Sequence, residues 1–374
     1  MSSLPVELYT EIARYLDRSD LAALSASTQT LHALATPLLY RHIAFSNYAS
    51  LEHFFSPFRH IAFREPSVGQ LFSLLQTLGD CAADVARFVQ HLELDWAGDN
   101  DKPTPIMSML NSDLRRMSGL TYLFVNRLER FDCLFEDVTL PALRECHITH
   151  WGTLDRGFLA RHPHLKRLSL AAWYSHPGPL RPPMPQGLEC LRMSNARYAL
   201  DLLKGLPHGK DAKLARIDLS VTGRRREQGV WSEILRLVQN SFPTLSQVNI
   251  VGGWYAMRIF QHARPTFGYA TRACVSCCNP LESVSLSEVE VRDMFISVAP
   301  AYPSVRTLDL LSGIGGFGLS YRDIARLVQE TDGFGHVELI IFEDGTAYSR
   351  NGNGDFELLP TRMDDYLQFP WKNL

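Results

Sequence analysis

From residue 85 onward the chain repeats a short pattern, apolar-x-x-apolar-x-apolar, ten times. The copies are Val89, Leu92, Leu94; Leu120, Leu123, Val125; Leu143, Cys146, Ile148; Leu165, Leu168, Leu170; and Leu188, Leu191, Met193. They continue as Leu214, Ile217, Leu219; Leu245, Val248, Ile250; Leu281, Val284, Leu286; Val305, Leu308, Leu310; and Val337, Ile340, Phe342. First positions stand 22 to 36 residues apart. Alternation sends every second side chain to one face, so each copy predicts a short strand with one face in the core. Several copies follow a helical stripe and a proline, such as Trp231, Ile234, Leu235 and Val238 before Pro243, or Met294, Phe295 and Val298 before Pro300 and Pro303. One such unit cannot bury its apolar face alone, so neighbours must stack. The expected fold is α/β, a curved solenoid with a parallel sheet on its concave side.

The first 45 residues follow a helical rhythm instead. Leu8, Ile12, Tyr15 and Leu16 fall at i, i+4, i+7 and i+8, one face of a helix. Pro5 suits a first helical position and Glu7 the first turn. Ser19 or Asp17 can cap a second helix carrying Leu21 and Leu24. A third holds Leu31, Leu34, Ala35, Leu38 and Leu39, with Pro37 expected to bend or break it. Three helices this short carry more apolar side chains than they can hide from one another, so part of that surface belongs to another protein or to the rest of the chain. Ser50–Phe58 and Ser67–Leu78 read as a helical connector.

The residues Leu4-Pro5-x-Glu7-Leu8, Ile12, Leu16, Asp20-Leu21 and Pro37-Leu38-Leu39-Tyr40-Arg41-x-Ile43 resemble an F-box of the form common among fungal proteins. That resemblance implies docking onto a Skp-type adaptor and, through it, a cullin scaffold, as the substrate-recognition subunit of an E3 ubiquitin ligase that catalyses nothing itself. Adaptor contact is then expected from Leu4, Pro5, Leu8, Ile12, Leu16 and Leu21, some of which must also support the three-helix core. The later repeats resemble the leucine-rich repeats that follow the F-box in many such proteins. A regular repeat places Asn or Cys three residues beyond the last apolar strand position; here those places hold Ala97, Leu128, Trp151, Trp173, Ala196, Thr222, Gly253, Val289, Gly313 and Gly345, which implies an irregular solenoid. The expected plan is an F-box at 1–45, a helical connector at 46–84, repeats at 85–345 and a C-terminal cap or tail at 346–374. The alternative is a repeat scaffold outside any ligase, its first helices only capping the array.

Loops after the strands are the expected place for a protein target. Trp151, Trp173 and Trp254 fall there and Trp dominates interaction hot spots, although capping of each repeat's own core is the preferred reading for large aromatics. Arg224, Arg225 and Arg226 form the one arginine run, suited to an acidic or phosphorylated segment, although solvation alone explains most short charge runs.

Composition narrows the field. The chain has 374 residues, 45% hydrophobic and 21% charged, with a formal net charge of −3, which gives no polyelectrolyte signal for nucleic acid or anionic membrane. Seven cysteines, an odd number, argue against a disulfide framework, and the absence of a membrane-length apolar run or secretory pattern points to cytoplasm or nucleus. Gly313-Ile-Gly315-Gly316-Phe-Gly318 satisfies G-x-G-x-x-G and precedes a predicted helix from Tyr321 to Glu330, but too little chain follows for a dinucleotide-binding sheet, so a nucleotide-dependent enzyme is the least favoured reading. Cys274, Cys277 and Cys278 form C-x-x-C-C without a second ligand pair for zinc. No G-x-S-x-G, H-E-x-x-H or P-loop occurs, so no cofactor and no catalysis are expected.

Overall fold

The computed structural model describes residues 6–46, 61–64, 68–79, 84–95, 104–126, 134–148, 157–170, 184–221, 227–251, 253–276, 287–311, 318–342 and 344–360. The fold is mixed α/β with mostly parallel strand pairing. It forms two compact units, the first running to Leu170 and including 174–185, the second starting at Gln186 and including 171–173. No described helix is long and apolar enough to cross a membrane.

The first unit begins with α1 (Val6–Ala13), α2 (Arg18–Ser27) and α3 (Gln29–Leu39). Then come β1 (His42–Ser46), β2 (Ile61–Arg64), α4 (Val68–Gly79), β3 (His91–Asp95), α5 (Thr104–Arg116), β4 (Tyr122–Asn126), β5 (Glu145–Ile148), α6 (Phe158–Arg161) and β6 (Arg167–Leu170). Its strands lie in the order β2-β1-β3-β4-β5-β6, every pair parallel. The expected connector, 46–84, is therefore not all helical: α4 matches expectation, β2 is a strand the pattern did not reveal, as is β1 at the end of the first 45 residues, and 50–58 lies outside the described residues. Ile43 and Ala44 are adjacent and both buried, which breaks the alternation that marks a strand.

The second unit contains β7 (Cys190–Met193), α7 (Ala196–Gly205), β8 (Arg216–Ser220), α8 (Gln228–Ser241), β9 (Gln247–Val251), α9 (Gly253–Ala263), β10 (Arg272–Ser276), α10 (Glu288–Val298), β11 (Thr307–Leu311), α11 (Tyr321–Glu330), β12 (Leu339–Phe342), β13 (Ala347–Arg350) and β14 (Phe356–Leu358). Strands β7 to β12 pair in parallel in chain order, and β13 and β14 add antiparallel strands at the end. That final pair was expected only as a cap or tail. One predicted copy is displaced: the strand between β9 and β11 is β10, with Ala270, Ala273 and Val275 in the apolar places, while 281–286 lies outside the described residues. Two alanines hid it, since the pattern favours large residues.

The strands share one entry device, in which two successive N–H groups donate to one carbonyl, that of the residue just ahead of the preceding strand. Thr121 and Tyr122 donate to Gln90 O, Arg144 and Glu145 to Thr121 O, and Lys166 and Arg167 to Arg144 O. In the second unit Ser246 and Gln247 donate to Ala215 O, Thr271 and Arg272 to Ser246 O, and Arg306 and Thr307 to Thr271 O. The backbone itself so satisfies groups that a buried edge would leave costly. A turn precedes each entry: Leu245 N–H donates to Phe242 O, Ala270 to Phe267 O, Val305 to Tyr302 O and Val337 to Phe334 O. Those four aromatic rings are fully buried beneath the strands. In the first unit the equivalent place beneath β6 belongs to His162. Its Nδ1–H donates to Phe158 O at 2.6 Å, and its Nε2 accepts Leu140 N–H at 2.9 Å.

Candidate functional site

The N-terminal helices meet at a small core of Ala13, Leu21 and Ala35, with Leu16, Leu24, Leu38 and Leu39 packed against it. Asp17 caps α2, accepting Asp20 N–H at 2.9 Å and the Ser19 hydroxyl at 2.7 Å. Those bonds, the backbone one first, hold its carboxyl below the usual range. Ser19 thus supports the cap and does not form it. Thr28 caps α3 by accepting Leu31 N–H at 3.2 Å. Pro37 stays inside α3, which continues to Leu39, so it neither breaks nor ends the helix. Beyond α3, Arg41 donates to the Gln90 side chain at 2.8 Å while its carbonyl receives Gln90 and His91 N–H, fastening the three helices to the head of β3.

This packing sorts the six expected adaptor residues. Leu8 is 48% and Ile12 50% exposed, and Tyr15, just past α1, is 84% exposed. These three form an apolar stripe directed away from the core. Leu16 is half-buried against the core. Leu21 is 0% exposed at its centre, so its expected adaptor contact is corrected to a structural role. Leu4 and Pro5 lie outside the described residues. Tyr15 was not singled out as a contact; its place at i+7 from Leu8 was the available signal.

A second surface is the sheet face opposite the core. In the first unit it carries a ladder of rings: His91 stacks on Tyr122 at 3.9 Å and 4°, with His42 and His147 each 5.3 Å from its ends. His91 Nε2 meets the Glu93 carboxylate at 2.7 Å, and His147 Nε2 meets Glu145 at 2.8 Å. Burial pushes the Glu145 carboxyl up, but His147, Arg167 and His91 together outweigh it and leave it below the usual value. In the second unit guanidiniums replace imidazoles at these places. Arg272 forks onto Asp309 at 2.7 and 3.0 Å, Arg216 pairs with Asp218 at 3.0 Å, and Asn249 also donates to Asp218. Burial lowers the Arg192 guanidinium to about 10, with Asp218 opposing the shift. The signal for both rows lay in the residues on either side of the first apolar strand position, such as His91 and Glu93 about Leu92 or Arg216 and Asp218 about Ile217, which the repeat pattern treats as free.

Of the expected target contacts, Trp254 alone lies among the described residues. Trp151, Trp173, Arg224, Arg225 and Arg226 lie outside the described residues, as do Cys277, Cys278 and 312–317 of the glycine-rich run. Trp254 sits in the first turn of α9 and not in a loop. Cys274 is buried within β10. Among the described residues no group of three or more His, Cys, Asp or Glu side chains is placed to hold a metal ion. The chain matches no protein-family model, and no curated protein sequence is significantly similar to it.

Proposed function

We propose that this chain is a substrate-recognition subunit of a Skp–cullin–F-box ubiquitin ligase, with the N-terminal helices as an F-box and the parallel-strand units as irregular leucine-rich-like repeats. The observation that carries this reading is the stripe of Leu8, Ile12 and Tyr15. A helical cap for the following units would turn these residues inward, whereas they project outward from a core complete without them. Two large apolar groups on the exposed face of α1, with Tyr15 just beyond its end, fit a partner that buries them; Leu8 and Ile12, half covered already, each stand to gain roughly half of the 1.5–3 kcal/mol of full burial. The repeats take the protein target, and the chain acts by raising the target's effective concentration at the ligase.

The test is pull-down of the chain with purified Skp adaptor, wild type beside a Leu8→Ala, Ile12→Ala, Tyr15→Ala variant, with circular dichroism on both. The variant is expected to keep its helices and lose adaptor binding, because none of the three side chains belongs to the core. Absence of binding by well-folded wild type, or undiminished binding by the variant, overturns the proposal.

A further inference from the structure

Asp113, on the inner face of α5, is 2% exposed, and its Oδ2 has no hydrogen-bond partner. The carboxyl stands against the end of α4, where its Oδ1 would lie 3.4 Å from a Cβ placed on Gly79. α4 carries no charged residue. The charge that acts on the carboxyl is Arg116; Arg115 is its helix neighbour, Asp84 and Arg87 lie on the turn that Arg116 reaches, and Asp80 lies outside the described residues. Arg116 reaches instead to Leu78 O at 2.9 Å and Asp84 at 3.3 Å. Arg115 turns to Asn111 and Glu136 O, and Arg87 to Asp84. Each of these cations has its own anchor, and an orphaned carboxylate oxygen in this place is costly.

We propose that Asp113 is a proton-controlled latch: protonated, its carboxyl lets α5 close on α4, and loss of the proton favours a state in which this contact opens to admit water. Geometry supplies the device, a buried acid with an unmet oxygen at a helix contact. Burial, opposed by Arg116, pushes the carboxyl from 3.8 up to about 7, which places the proton loss of the closed state near neutrality. The sign follows from linkage. The closed form holds its proton and the open form has released it between those two values, so opening grows about tenfold per pH unit there and levels off above about 7. The proton's contribution to closure is complete in acid and lost above about 7.

Hydrogen exchange of the full chain, corrected for intrinsic rates, reads this directly. Between pH 5 and pH 7 the opening of α4 and α5 amides in wild type is expected to rise by more than tenfold beyond the change in Asp113→Asn, which keeps the shape without the titration. Parallel behaviour of the two proteins overturns the latch. If Asp113→Asn does not fold, ¹³C titration of the wild-type carboxyl decides: a midpoint near 7 supports the latch, and one near 4 overturns it.

Discussion

Replacing His162 by phenylalanine is the sharpest test of how the first unit is held together. The imidazole is 2% exposed, its ring centroid 4.1 Å from that of Phe158, and it bridges two backbone groups, Phe158 O and Leu140 N–H. Both bonds need the neutral tautomer with hydrogen on Nδ1, because a proton on Nε2 would oppose Leu140 N–H. Burial accordingly lowers the group from 6.5 to about 4, the Phe158 bond opposing and Arg161 adding to the shift. A base with a depressed folded value takes up its proton first in the unfolded chain, so its stability contribution is complete above the unfolded value and declines as pH falls from 6.5 towards 4. At pH 5 the wild type should have lost about 2 kcal/mol by this route. Phenylalanine fills similar space but leaves Leu140 N–H unpaired, at a cost of about 1–3 kcal/mol at pH 7. Urea unfolding followed by circular dichroism should therefore show a variant weaker than wild type at pH 7 and nearly equal to it at pH 5. Asp113 titrates with the opposite sign over part of this range but is present in both proteins and cancels in the difference. A gap unchanged between the two pH values would refute the argument, as would an NMR titration of His162 with a midpoint near 6.5.

Two further outcomes follow from the packing. A Cβ at Gly119 would stand 2.8 Å from the Arg87 carbonyl oxygen, a backbone atom that cannot swing aside, so Gly119→Ala should destabilise the first unit by about 1–3 kcal/mol in thermal unfolding; an unchanged Tm would refute it. Leu21→Ala removes the centre of the three-helix core and should cost about 2–5 kcal/mol, reducing adaptor binding only through loss of helix; a folded variant with full stability would show the core to be elsewhere.

The amino-acid sequence alone determined most of the strands, because a strand with one face in the core must alternate, and β3 to β9, β11 and β12 each carry large apolar residues at the expected places. It also marked the helices that bury a continuous stripe, α4, α8, α10 and α11 among them. Its failures have physical causes. β10 reads as featureless because two of its three core places hold alanines, Ala270 and Ala273, both fully buried but too small to mark the pattern. β1 and β2 are defined by their pairing with each other and with β3, and pairing between distant segments leaves no local trace. In the candidate adaptor site the helical rhythm named the apolar residues but could not divide them. Leu8 and Leu21 are the same residue type on neighbouring helices, and only the packing of α1 on α2 and α3 sends one to solvent and the other to the centre. Nothing in the sequence sets His162 or Asp113 apart from other polar residues, for the same reason. Whether a titratable side chain is tied down or left with an unmet oxygen depends on which distant backbone groups the fold brings to it, and tertiary structure alone decides that.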